Sequence, residues 1–168
     1  REIMRIDQPQ SNHNGGMLVF VEEGALTGNL LGGLGDGGGA NDVGPGHSEG
    51  GNAQDTSNIY GSIVMIDPLD PSGTPTSPNP ISSNGNYRIP VENPFMGTDG
   101  LDEIFLFGLR NPYRFSIEDG VIIGDVGQNH VEEINFSEAA GTNFGWNFKE
   151  GTYRFDPLTG NVTDDLKG

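Results

Sequence analysis

Apolar residues in this chain come in short runs cut off by turn residues. Met17–Val21, Ile59–Ile66, Ile104–Phe107, Tyr113–Ile117, Val121–Ile123 and Ile134–Phe136 carry Val, Ile, Phe and Tyr. Turn chemistry bounds them: Asn14-Gly15-Gly16, Glu23-Gly24, Asp67-Pro68 and Asp119-Gly120. Such runs read as strands. Helices have little room, because no stretch free of both Gly and Pro is longer than the one between Gly127 and Gly141. The pattern predicts an all-β chain of many short strands: a sandwich, barrel or propeller. Two segments, Gly32–Ser57 and Pro68–Asn86, lack strand pattern. They read either as linking sequence or as long loops on one face of a β scaffold, where binding residues tend to sit.

Composition sharpens this picture. The chain has 168 residues, one domain's worth; its 28 glycines and 11 prolines make it loop-rich, and aromatic and aliphatic residues spread along its whole length read as a folded chain. Eight Lys and Arg against 24 Asp and Glu give a net charge of −16. A chain this acidic repels phosphate backbones, which argues against nucleic-acid binding. No Lys or Arg lies between Ile6 and Tyr87, so Gly35-Asp36-Gly37-Gly38-Gly39 is not a phosphate loop. A simple turn is the preferred reading there, with a calcium loop as the alternative. No apolar run is long enough to span a membrane. The absence of cysteine excludes disulfides, thiol catalysis and Cys-based zinc sites. An acidic surface suits Ca²⁺, which takes oxygen ligands. The chain starts at Arg1 without a signal peptide, so a processed chain or a piece of something longer is expected.

Four stretches carry candidate chemistry. His13, in Asn12-His13-Asn14-Gly15-Gly16, stands at a strand entrance and could act as a general base or be a surface turn histidine. In Gly108–Ser116, Arg110 could face a ligand, whereas Arg114 reads as half of a structural salt bridge. Gly124-Asp125-Val126-Gly127-Gln128-Asn129 leads through a tight turn to Glu132 and Glu133, where backbone carbonyls and a carboxylate suit Ca²⁺. Trp146, in Asn143-Phe144-Gly145-Trp146, reads as packing. His47 and His130 have no visible partners and read as solvent-exposed.

Taken in order, these stretches resemble the glucose/sorbosone dehydrogenase family of soluble quinoproteins that use pyrroloquinoline quinone (PQQ). Asn52-Ala53-Gln54, Tyr87-Arg88-Ile89-Pro90, Asn93-Pro94-Phe95, Glu103-Ile104, Glu132-Glu133-Ile134-Asn135 and Glu150-Gly151 extend the match. The chain departs at Gly61-Ser62-Ile63-Val64-Met65-Ile66-Asp67, where the family often carries Lys and Arg, and its loops after Gly44 and Asp70 are elaborated.

The resemblance implies a six-bladed β-propeller of four-stranded blades, of which residues 1–168 would supply three or four from one domain, without its first and last blades. It implies PQQ-dependent oxidation of aldose sugars to lactones, with His13 as the base. Arg110 and Asn111 would lie at the PQQ quinone oxygens. The carbonyls of Gly127 and Gln128 would hold the Ca²⁺ that seats PQQ, and Glu133 with the Phe144 carbonyl a second, structural Ca²⁺. Expected partners are a sugar, an electron acceptor such as a cytochrome or quinone, and the remaining blades. The expected location is the periplasm or the cell exterior. The alternative is a non-catalytic extracellular Ca²⁺-binding propeller serving as a binding or adhesion module; a Ca²⁺-dependent structural domain is a third reading.

Overall fold

A computed structural model describes residues 1–73 and 76–165; Thr74 and Pro75 of the Pro/Ser-rich segment and residues 166–168 lie outside the described residues. Among the described residues ten strands form three antiparallel sheets, each pairing neighbours in chain order. The first sheet holds β1 (Leu18–Phe20), β2 (Leu30–Leu34), β3 (Ser62–Ile66) and β4 (Ile104–Phe107). The second holds β5 (Pro112–Ile117), β6 (Val121–Asp125) and β7 (Glu133–Ser137). The third holds β8 (Lys149–Glu150), β9 (Tyr153–Asp156) and β10 (Asn161–Asp165). Among the described residues the helical element is a single 3₁₀ turn, Asn52–Gln54. The all-β expectation therefore holds.

Alternation along the strands decides which side of the first sheet is core. Leu31 pairs with Met65 and Gly33 with Ile63, which puts these four residues on one face. That face meets Phe115, Val121 and Ile123 of the second sheet, and Leu106 and Leu109 close the same cluster. Burying each large side chain here is worth about 1.5–3 kcal/mol. The opposite face carries Leu18, Phe20, Leu30, Val64 and Ile66. Beside it Ile3, Met4 and Ile6 line a groove of about 610 Å³.

The glycines of β2 have a packing reason. A Cβ on Gly33 would sit 2.9 Å from the carbonyl oxygen of Pro112, and one on Gly16 would sit 2.5 Å from the same atom. Their hydrogens let the start of β5 lie directly on β2 and on the segment leading into β1. That close approach brings the segment after Arg110 up against the segment after His13. A second cluster joins Ala53 of the 3₁₀ turn to Trp146 and Phe155, so the third sheet docks on the loop that follows β2.

Candidate functional site

One buried carboxylate organises the site. Asp36, just past the end of β2, has no exposed surface. Its Oδ1 accepts from His13 Nδ1 at 2.7 Å and from the Gly38 amide at 3.0 Å. Its Oδ2 accepts from Trp146 Nε1 at 2.9 Å. A carboxylate can only accept these bonds, so the His13 proton is held on Nδ1. Nε2 is then the basic nitrogen, and it has no hydrogen-bond partner among the described residues. His13 itself lies in the left-handed region at φ 52, a conformation uncommon for residues other than glycine. A Cβ on Gly35 would fall 2.3 Å from the His13 carbonyl oxygen, so this strand end can carry only glycine.

Arg110 stands beside the pair. The Asp36 amide donates to the Arg110 carbonyl at 2.8 Å, and the guanidinium lies 5.5 Å over the Trp146 ring. Its Nε and Nη2 donate to Gln128 Oε1 at 3.1 and 2.8 Å, and Nη1 donates to the Val126 carbonyl at 2.9 Å. Burial lowers the guanidinium pKa, while Asp36, Asp125, Glu150 and Glu132 raise it. The side chain is thus a fixed, partly desolvated cation.

Two further buried carboxylates brace the strand ends. Asp125 accepts from the Arg110 and Asn111 amides at 2.9 and 2.6 Å. Burial pushes it up to about 7, against the lowering effect of those amides. Glu150 Oε1 accepts from the Gln128 and Asn129 amides, while its Oε2 is buried without a partner. Gly127 donates its amide to Glu132 Oε2 at 3.0 Å. The carbonyls of Gly127, Gln128 and Phe144 accept no hydrogen bond from the described residues.

His13, Arg110, Gln128 and Trp146 therefore belong to one network, and Asn111 joins it through Asp125. Glu133 lies apart: its Oε1 accepts from the Gly151 amide at 2.6 Å and its Oε2 from Asn135 Nδ2 at 3.1 Å. No hydrogen bond joins it to Phe144 among the described residues, and no group of three or more His, Asp or Glu side chains there is spaced to hold a metal. The backbone carbonyls and the orphaned Glu150 oxygen are consistent with a hard cation, which takes oxygen ligands of this kind.

Several expectations change. His47 is not solvent-exposed: its side chain is fully buried and Nδ1 donates to Asp42 Oδ1 at 2.7 Å. Its partner lies five residues upstream in a loop with no periodicity to reveal it. Arg114 makes no salt bridge among the described residues; it is exposed and lies 5.5 Å over the Tyr113 ring. Trp146 does pack, against Ala53 and Phe155, and His130 is exposed. Asp36, read as part of a turn, is the residue that sequence reasoning missed. Its partners are 23 and 110 positions away.

No family model matches the chain. Two curated proteins of Arabidopsis thaliana are similar to it. The HIPL2 protein is 35% identical over 164 residues, covering 95% of this chain and 22% of its own length. The HIPL1 protein is 33% identical over 162 residues, covering 94% of this chain and 22% of its own length. The chain thus spans about a fifth of the length of the curated relatives it matches. Among solved structures it is similar to a candidate oxidoreductase (glucose dehydrogenase) of Thermus thermophilus, with a TM-score of 0.57 and 20% identity over 83% of this chain and 35% of that one. The likeness shows the fold: all-β and propeller-type.

Proposed function

We propose that the whole protein is a PQQ-dependent sugar dehydrogenase of the periplasm or cell exterior, oxidising aldoses to lactones, and that residues 1–168 are part of its single propeller domain. The observation that carries the reading is the His13–Asp36 pair beside Arg110. Arg110 and Asn111 would contact PQQ, the Gly127 and Gln128 carbonyls would hold its Ca²⁺, and Glu133 with the Phe144 carbonyl would serve a second Ca²⁺. When bound, PQQ supplies a two-electron acceptor and Ca²⁺ polarises it.

This chain's own residues do the rest. His13 Nε2 takes the proton from the anomeric hydroxyl. Asp36 keeps the other proton on Nδ1 and stabilises the imidazolium as it forms. Asp36 is itself held by the Trp146 indole, so the base does not rotate away. Arg110, fixed by Gln128, keeps a positive charge where negative charge develops. An electron acceptor such as a cytochrome or quinone would then complete turnover.

The test adds PQQ and Ca²⁺ to the full-length protein and assays aldoses with an artificial electron acceptor. Turnover is expected. His13→Ala should lose about 10²- to 10⁴-fold in rate while PQQ still binds, followed by its absorbance. Absence of aldose oxidation in the unsubstituted protein would sink the proposal. A second reading, a non-catalytic Ca²⁺-binding propeller used for binding or adhesion, is favoured by Ser62 and Met65, which are uncharged where the resembled family carries basic residues. It expects Ca²⁺ binding without turnover.

A further inference from the structure

The loop from Asp36 to Asn52 joins the two arms of the site. At its start, Asp36 holds His13 Nδ1. Further on, the Asn41 amide donates to Gln128 Oε1 at 3.4 Å, the same oxygen that grips Arg110. At its end, Asn52 Nδ2 donates to the Asp36 carbonyl at 2.8 Å and to the Gly46 carbonyl at 3.2 Å, while Asn52 Oδ1 accepts from the Ser48 amide at 3.0 Å. Asn52 thus ties the loop's end back to its beginning.

Inside the loop is a second histidine–carboxylate pair that the proposed reaction does not use. Asp42 and His47 have fully buried side chains and meet at 2.7 Å. Asp42 also accepts from the Asn52 amide at 2.9 Å and the Ala53 amide at 3.0 Å. The second ring nitrogen of His47, Nε2, lies 3.4 Å from Gln10 Nε2. Asn41 and Asp42 both lie at positive φ, 66 and 56, a region that Asn and Asp enter more readily than other side-chain-bearing residues. The turn aims Asp42 inward, and the side-chain partner of Asp42 there is His47.

We propose that His47 is a positioning residue: paired with Asp42, it locks the 36–52 loop so that Asp36 presents His13 and Asn41 presents Gln128 to Arg110. Removal of the imidazole leaves a buried carboxylate near Asp36 with only two backbone donors. Asp42 then turns out of its pocket, Asn52 and Ala53 lose their acceptor, and the Asn52 bond to the Asp36 carbonyl loosens. His13 touches none of these groups directly, so the effect reaches it through Asp36. The catalytic consequence rests on the dehydrogenase reading; the structural coupling does not.

The experiment uses the intact protein with ¹⁵N-labelled histidine and tryptophan. Long-range ¹H–¹⁵N spectra read the His13 Nδ1 proton and the Trp146 indole proton, both of which Asp36 accepts. His47→Ala should speed exchange of the His13 Nδ1 proton by about tenfold or more and shift the indole proton. The methyl signals of Ile63 and Ile123, in the core between the first two sheets, should stay. His47→Asn, whose amide nitrogen can stand in for Nδ1, should restore both. If aldose turnover is measurable, kcat should fall with little change in KM, and His47→Asn should recover it. Unchanged His13 and Trp146 protons in a folded His47→Ala protein would overturn the proposal. Should His47→Ala fail to fold, exchange in the unsubstituted protein decides. The Asn52 and Ala53 amides and the His13 Nδ1 proton are expected to open with one common free energy, and clearly separate openings would overturn the coupling. If the protein oxidises no aldose, the spectra still decide whether His47 positions Asp36.

Discussion

Asp42 and Asp125 are buried carboxyls whose surroundings hold protons that an unfolded chain would release. Burial, then the charge of Asp36, pushes Asp42 up to about 6, against the lowering effect of the Ala53 amide, His47 and the Asn52 amide. Burial pushes Asp125 up to about 7. Between the ordinary value of 3.8 and these values, the folded state binds more protons than the unfolded one. Stability from both groups is therefore complete below about pH 4 and is lost as pH rises toward 7. Asp55, Asp70 and Asp156 act in the other sense. Hydrogen bonds, chiefly from Ser48, Ser72 and Thr159, lower their pKa values, so their contribution is lost only as pH falls below 3.8. The metal-free protein should melt at a higher temperature at pH 5 than at pH 8. Repulsion within a chain of net charge −16 works in the same direction, so the scan belongs at about 1 M salt, where the Debye length is roughly 3 Å. A melting temperature that is flat or rises with pH there would show that these carboxyls ionise normally. None of this was legible in the sequence, because no spacing rule links Asp36 to Trp146 or buries a histidine in a glycine-rich loop.

At the scale of elements, the strands that announced themselves were those with short runs rich in Val, Ile, Phe and Tyr between turn residues: β1, β3, β4, β5, β6 and β7. β2 did not, because Leu30-Leu31-Gly32-Gly33-Leu34 looks like a loop by propensity. Its glycines are set by what lies against each face, which only the assembled sheets reveal. The third sheet was missed because its strands are short and largely polar, with Phe155 as its buried anchor. Adjacent glycines of β2 give a direct test. On Gly33 a Cβ would meet the Pro112 backbone oxygen at 2.9 Å, which cannot move without shifting β5 and the Arg110 segment before it. On Gly32 it would meet the tip of the exposed Leu18 side chain at 3.0 Å, which can swing away. Gly33→Ala should cost about 1–3 kcal/mol by overpacking. Gly32→Ala should stay within about 0.5 kcal/mol. Urea unfolding of the two variants in the 168-residue chain, where Leu18 is open, checks this, and equal costs would mean that β5 does not bear on β2 as described.

For the molecule as a whole, the telling feature is apolar surface on the outward faces of the first two sheets. On the second sheet Ile122 pairs with Phe136 and Gly124 with Ile134, so the three large side chains share the face turned away from the core. Ile134 is 85% exposed and Phe136 54% exposed. On the first sheet Leu18 and Phe20 are likewise exposed, next to the groove beside residues 3–6. A sheet in a propeller packs a neighbour on each face, and this chain covers 35% of its structural neighbour. The expected occupant of each face is a further sheet of the same polypeptide. Ile134 discriminates sharply. If the face is open in the whole protein, Ile134→Asp is a surface change worth within about 0.5 kcal/mol. If a sheet covers it, the same change loses roughly 1.5–3 kcal/mol of apolar burial and adds the cost of burying a charge. Denaturant unfolding of the full-length variant should show the larger loss. In parallel, the 168-residue chain alone should bind a hydrophobic dye and self-associate, and the full-length protein should do neither. A neutral Ile134→Asp in the full-length protein would mean that this face is solvent-exposed surface and that no further sheet packs on it.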